Sequence, residues 1–403
     1  MKKQILTLTA VLSLTVTSLL TPSSLEPAAK AAETKSVTRF KDVSTSHWAN
    51  SAITWAVKEN IVAGYPDETF KPSKSVTRAE FIKMLVDALH IPHSSGSTPW
   101  YQAYVHEAIE AGLHSEADFK AYDKPITRYE IAKIVANSLA TLPEYEAYLE
   151  SFGSLYYMDL PFTDHMKFSK AEVPYVALSY ATRIINGYPD ESFGKDKPAT
   201  RAEAVAMLQS LTGVMKKNPN SFQYLNELME IATYGSNGET MSNLERKANI
   251  LVDDMTVEHG NYTATLKRLY VIPFEGDKKS MFERKFVGDR DEIHPWYAQS
   301  KRGLAVGVVD ITFKKEGSIN LFTSNLFVSP FPGFGEQLPS ERYNFIFEYM
   351  NNPPGFKKGE TREVVIYGAY ENSSISVSFL SKNNQEGGWI QLFFNPDNEY
   401  LNR

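Results

Sequence analysis

Arg78, Arg128 and Arg201 stand in matching settings: Thr77-Arg78-Ala79-Glu80, Thr127-Arg128-Tyr129-Glu130 and Thr200-Arg201-Ala202-Glu203. Each segment opens an apolar run with helical spacing. The threonine and glutamate, three residues apart, have the form of a capping box, in which each side chain accepts from the other's backbone N–H. Such a cap is worth about 1 kcal/mol per helix. The arginine needs a different account, because a cation in the first helical turn opposes the macrodipole. A guanidinium beside unsatisfied backbone N–H groups makes an anion site able to hold a carboxylate through two parallel bonds. Pairing with an acid of a neighbouring repeat is the alternative for one or two of the three.

The elements that must carry these arginines are repeats. One offset of 123 residues separates Gly64 from Gly187 and Thr77 from Thr200. Trp100 takes the place of Trp48 in a middle copy, and Leu113 that of Ile61. Each full copy reads as helix, tight loop, helix. Trp48, Ala52, Ile53, Trp55 and Ala56 have helical spacing up to Gly64, which is expected to take positive φ in a Gly-Tyr-Pro-Asp turn. Phe81, Met84, Leu85, Ala88 and Leu89 form the buried stripe of the second helix, as Val205, Leu208 and Leu211 do in the third copy.

Phe40-Lys41-Asp42-Val43, His47-Trp48-Ala49, Gly64-Tyr65-Pro66-Asp67, Phe70-Lys71-Pro72 and Thr77-Arg78-Ala79-Glu80 together resemble an S-layer homology domain. The resemblance covers roughly residues 36–213 and implies three tandem repeats in an all-α, pseudo-threefold prism. It further implies non-covalent binding to a pyruvylated secondary cell wall polysaccharide linked to peptidoglycan. By this resemblance Arg78, Arg128 and Arg201 contact the pyruvyl carboxylate. Trp48, Gly64 and Tyr65, with Gly187 and Tyr188, would line a sugar face, and Asp42 and Asp164 would accept sugar hydroxyls. From the residues alone, Trp48 fits a core position equally well. The copies differ. Repeat two has Ser115-Glu116-Ala117-Asp118 near the place of the Gly-Tyr-Pro-Asp turn and Tyr129 in place of alanine, repeat three lacks the first tryptophan, and an insertion at about 141–160 separates them. Grooves built from repeats one and three are therefore expected to carry the binding.

The remaining chain bounds the function. Lys2, Lys3, the apolar stretch from Ile5 to Leu20 and Ala29-Lys30-Ala31 read as a signal peptide over residues 1–31. The repeats then occupy 36–92, 98–140 and 160–213, followed by a linker and helical connector over 214–260. Within it, 222–231 and 244–257 read as amphipathic helices. Over 261–403, eight short runs rich in β-branched and aromatic residues argue for an antiparallel sandwich or barrel, loosely resembling immunoglobulin-like accessory domains. These runs are 262–272, 281–287, 304–313, 319–328, 343–349, 363–370, 375–379 and 389–394. A net charge of −6 argues against nucleic acid as a partner, so an anion site must be local. There is no cysteine, which excludes thiol catalysis and disulfides. No metal, cofactor or catalytic motif stands out, and no membrane span is expected in the mature chain. The expected function is cell-wall anchoring of a secreted S-layer-type surface protein that is not an enzyme. Its β-rich part would display, assemble with surface-layer proteins or bind a partner. The alternatives are an anchored wall hydrolase, using Glu258 or Asp291, and an adhesin acting through residues 222–403.

Overall fold

The computed structural model describes residues 40–242, 245–246, 252, 256–258, 262–274, 277–287, 303–316, 326–329, 355–369, 374–380 and 386–394. The signal peptide expected at 1–31 lies outside them. The first part is helical: α1 (Asn50–Lys58), α2 (Arg78–Ala88), α3 (Gln102–Glu110), α4 (Arg128–Ala140), α5 (Pro143–Ser151), α6 (Val173–Ala181) and α7 (Arg201–Val214). The three expected capping boxes all form. Thr77, Thr127 and Thr200 accept from the N–H of Glu80, Glu130 and Glu203, whose carboxylates accept from the threonine N–H in return.

The residue before each cap ties the repeats together. The N–H of Val76 donates to Ala199 O, that of Ala199 to Ile126 O, and that of Ile126 to Val76 O, at 2.9–3.0 Å, closing a ring of three bonds. The next residues repeat the pattern: Arg78 N–H reaches Lys124 O, Arg128 N–H reaches Lys197 O, and Arg201 N–H reaches Lys74 O. These backbone groups would otherwise be orphaned at helix entries, and the ring satisfies them while setting the arginines in a cyclic order. Val76, Ile126 and Ala199 are fully buried, so the ring lies inside the core.

The turn glycine works differently from the expectation. Gly64 and Gly187 are not among the positive-φ residues; Glu68 and Glu191, both at φ 61°, and Lys71 and Gly194 take that conformation. Gly64 is required by close approach instead, since a Cβ there would lie 2.2 Å from Cε1 of Phe40. At Gly187 the corresponding approach to Phe162 is 3.2 Å. Gly64→Ala should therefore lower stability by about 1–3 kcal/mol through overpacking, and Gly187→Ala by less. Urea midpoints of the two variants check the ranking.

The insertion becomes α5 and two short 3₁₀ turns, and α5, α6 and α8 (Gln223–Tyr234) pack together. α8 bears out the helix expected at 222–231, and Gly235 ends it in the left-handed conformation. The expected helix at 244–257 is overturned: its described residues include β1 (Glu245–Arg246) and β2 (Thr256–Glu258), drawn into sheets by pairing with distant strands. The short helix α9 (Gly238–Met241) precedes them. The expected strand at 281–287 is α10 (Glu283–Phe286). Apolar residues crowded around Tyr270 explain this, since Phe282 and Phe286 both pack on its ring.

The other described strands are β3 (Tyr262–Pro273), β4 (Gly303–Phe313), β5 (Leu326–Ser329), β6 (Thr361–Ala369), β7 (Ser374–Leu380) and β8 (Glu386–Phe394). They form two antiparallel four-stranded sheets, ordered β2-β3-β4-β6 and β1-β8-β7-β5. The run at 343–349 and most of 319–328 lie outside the described residues. The first sheet is joined to the insertion by a buried ion pair. Asp159 accepts from Arg268 Nε at 2.9 Å and from the Tyr270 hydroxyl at 2.8 Å, and also takes the backbone N–H of Tyr156.

A second buried carboxylate sets a pH dependence. Glu227 on α8 is fully buried, accepting from Asn237, Ser280 and the N–H of Met281. Burial pushes its pKa up to about 7. Between about pH 4.5 and 7 the folded form keeps a proton that the unfolded chain has lost. Glu227 therefore lowers stability as pH rises through that window. Urea unfolding at pH 5 and pH 7.5 should show this fall in the natural protein and a flatter profile in Glu227→Gln.

Candidate functional site

Each arginine sits at the first position of its helix and reaches across to the following repeat. Arg128 Nε donates to Phe193 O at 2.8 Å and its Nη2 to Asn186 O at 2.6 Å. Arg201 does the same one repeat on, with Nε to Phe70 O at 2.9 Å and Nη2 to Ala63 O at 3.1 Å. Arg78 reaches repeat two, where Nη1 donates to Ala121 O at 2.8 Å. The carbonyls fix each fork, and an aromatic ring lies under it: Phe119 for Arg78, Tyr188 for Arg128, Tyr65 for Arg201. Each groove thus joins the arginine of one repeat to the turn of the next.

The carboxylates break the equivalence. Arg78 makes a two-pronged pair with Glu130, Nη2 to Oε1 at 2.6 Å and Nε to both oxygens at 3.2 Å. Arg128 meets Glu203 at 3.4 Å and is only 4% exposed. The Tyr188 hydroxyl donates to the same Glu203 oxygen at 3.1 Å. Arg201 has no carboxylate within 4 Å among the described residues. Glu80, the matching acid, accepts the N–H of Thr77 and acts on Lys74 through its charge, without pairing with Arg201. The expectation that one or two arginines pair with a neighbour's acid therefore holds for Arg78 and Arg128, and Arg201 forms no ion pair among the described residues.

Two lysines stand beside the same tyrosine, of which Lys71 is paired with Asp67 at 3.4 Å. Lys74 Nζ donates to the Tyr65 hydroxyl at 3.0 Å, and Lys71 Nζ lies 4.1 Å from the centre of the Tyr65 ring. The bond to Tyr65 raises the Lys74 pKa, which keeps that group protonated. In repeat three, Lys197 lies 4.1 Å over Tyr188. Sequence reasoning missed these lysines, although the signal was there: Lys74, Lys124 and Lys197 each stand three residues before the capping threonine.

The other candidates divide. Asp42 accepts from the N–H groups of Phe70 and Lys71 at 2.8 and 2.7 Å, and Asp164 from those of Phe193 and Gly194 at 2.7 and 3.0 Å. Both carboxylates therefore clamp the segment after the turn, with each oxygen already engaged. Trp48 is 66% exposed beside His47, which excludes the core position. Trp100 is 53% exposed and forms an aromatic surface with Tyr101 and Tyr104. The Gly187–Tyr188 turn borders a cavity of about 370 Å³ shared with Arg183, Tyr224 and Arg284, so the C-terminal part crowds it. Of the hydrolase candidates, Glu258 is an exposed carboxylate paired with Lys314 at 3.2 Å, and Asp291 lies outside the described residues. No helix among the described residues is long and apolar enough to cross a membrane.

Comparison with known proteins finds similarity over the repeats. The family model of the S-layer homology domain matches residues 39–82 and 161–205, the first and third repeats. The exoglucanase XynX of Acetivibrio thermocellus is 32% identical over 196 residues, 46% of this chain and 17% of its own length. The cellulosome-anchoring protein of the same species is 57% identical over 42 residues, 10% of this chain and 9% of its own. The surface-layer 125 kDa protein of Lysinibacillus sphaericus is 32% identical over 114 residues, 25% of this chain and 10% of its own. The chain thus spans less than a fifth of the length of these relatives.

Proposed function

We propose that this secreted cell-surface protein, which carries S-layer homology domains for anchoring to the cell wall, is held there by pyruvylated secondary wall polysaccharide in the groove between Arg201 and Tyr65. The observation that carries the reading is that Arg201 forms no ion pair among the described residues. Its guanidinium is fixed by two backbone carbonyls and has Lys74 and Lys71 around the same tyrosine. A pyruvyl ketal presents a carboxylate on a sugar ring. The fork would take the carboxylate and the aromatic ring the apolar sugar face. Arg78 and Arg128 already hold carboxylates, so a ligand there would have to displace Glu130 or Glu203.

In this reading the repeats form a pseudo-threefold prism, which the ring of bonds through Val76, Ile126 and Ala199 supports. The two antiparallel sheets behind it are an immunoglobulin-like sandwich that displays or assembles with surface-layer proteins, and the chain is not itself an enzyme. The catalytic names among its relatives belong to proteins matched over a small part of their length. The test is sedimentation of the mature chain with purified walls that keep their pyruvylated polymer and with walls stripped of it. Binding to the first and not the second is expected, and equal binding to both would overturn the proposal.

A further inference from the structure

A second cavity, of about 660 Å³, lies between the segment after α5 and the first sheet. That volume is within the range of small-molecule sites. Its walls come from three distant parts of the chain: Tyr157 at the end of the insertion with Phe162, His165 and Met166 at the start of repeat three, Lys285 from α10, and Glu363 from β6. The junction described above holds these parts in place through Asp159 and Arg268.

The polar groups have a definite inventory. Lys285 Nζ donates to Met158 O at 2.6 Å and to Leu160 O at 2.9 Å, so in its ammonium form a third N–H is uncommitted among the described residues. Glu363 accepts from the Tyr157 hydroxyl at 3.2 Å and keeps further acceptor capacity. His165 Nδ1 is bonded to Phe162 O at 2.6 Å, which fixes the tautomer and leaves Nε2 as an acceptor. The ring of Tyr157 stacks on His165 with centroids 6.0 Å apart, giving a flat aromatic wall. Met166, 77% exposed, stands at the rim.

The charges in this cavity are muted. Burial holds His165 down to about 4, so its imidazole is neutral at ordinary pH. Burial likewise lowers Lys285 to about 7 and raises Glu363. An ionic ligand of either sign would meet one carboxylate and one amine, with no net charge to match it. A hydroxylated ring would instead meet two acceptors, one donor and an aromatic face.

We infer that this cavity is a binding site for a neutral sugar unit, with Glu363 and His165 accepting its hydroxyls, Lys285 donating, and Tyr157 and Phe162 covering its apolar face. The site is distinct from the Arg201 groove, whose chemistry selects an acid.

The test uses the full mature chain with glucose, galactose, mannose and N-acetylglucosamine as separate probes, followed by saturation-transfer NMR and calorimetry. At least one should bind saturably, with a dissociation constant in the millimolar range or tighter (on the order of −4 kcal/mol). Met166→Arg, at an exposed position that leaves the fold intact, should weaken that binding at least tenfold by closing the rim. Glu363→Gln should weaken it about tenfold by removing the charged acceptor. Met166→Arg should leave wall sedimentation unchanged, which separates this site from the Arg201 groove. Three results would overturn the inference: no binding by any of the four sugars, binding of glucuronic acid in their place, or sugar binding that Met166→Arg does not alter.

Discussion

Arg201→Ala should reduce binding to pyruvylated walls by about ten- to a hundredfold, the scale of a lost charge-assisted pair of about 1.5–3 kcal/mol. The fold should survive with a smaller loss than in Arg128→Ala: the carbonyls of Phe70 and Ala63 lose their donors, but no ion pair among the described residues is broken, Thr200 and Glu203 keep their capping box, and the ring bond from Arg201 N–H to Lys74 O belongs to the backbone. Arg128→Ala should behave in the opposite way. It removes the cation from Glu203, which keeps its bonds from Tyr188 and Thr200, and leaves the carbonyls of Phe193 and Asn186 without their donors, so its main effect is on stability. Arg201→Lys keeps the charge without the planar fork and should bind at an intermediate level. Sedimentation with walls and thermal melting, run on all three variants, separate the roles. If Arg201→Ala binds like the natural protein while Arg128→Ala loses binding without losing stability, the assignment of the groove is wrong.

Asp159→Ala should destabilise the protein by about 3–5 kcal/mol, the cost of removing one partner of a buried ion pair. Arg268 would lose its carboxylate and the hydroxyl of fully buried Tyr270 its acceptor. Because this pair joins the segment after α5 to β3, the helical and sheet signals should also lose their coincidence on unfolding. Asp159→Ala combined with Arg268→Met should cost clearly less than the sum of the single changes, since the double replacement removes both charges. Urea titration followed by circular dichroism and tyrosine fluorescence gives both quantities. A loss below about 1 kcal/mol in Asp159→Ala would show that the pair contributes little.

Much of the first part was legible in the sequence because its signals are local. Thr77 and Glu80 are three residues apart, and a capping box needs nothing further. The apolar stripe of α2 buries Phe81, Met84, Leu85 and Ala88 as its spacing predicts. Gly64 was marked correctly as special, but the reason lay in Phe40, 24 positions upstream, and not in its own φ. In the second part, Glu245–Arg246 and Thr256–Glu258 carry a helix-like pattern and still become strands, because their partners are β8 and β3. Residues 281–287 carry a strand-like pattern and form a helix against Tyr270.

The sequence by itself determined that three helices begin alike, each with an arginine at its first turn, since caps and helical periodicity act over three or four residues. Only the tertiary structure decided what each arginine meets. Glu130 lies 52 positions from Arg78 and Glu203 lies 75 from Arg128, so these pairs depend on how repeats are set against one another. The same packing leaves Arg201 beside Tyr65 without an ion pair among the described residues. Coulomb attraction and its absence are matters of a few ångströms in space, and a one-dimensional repeat carries no such distance.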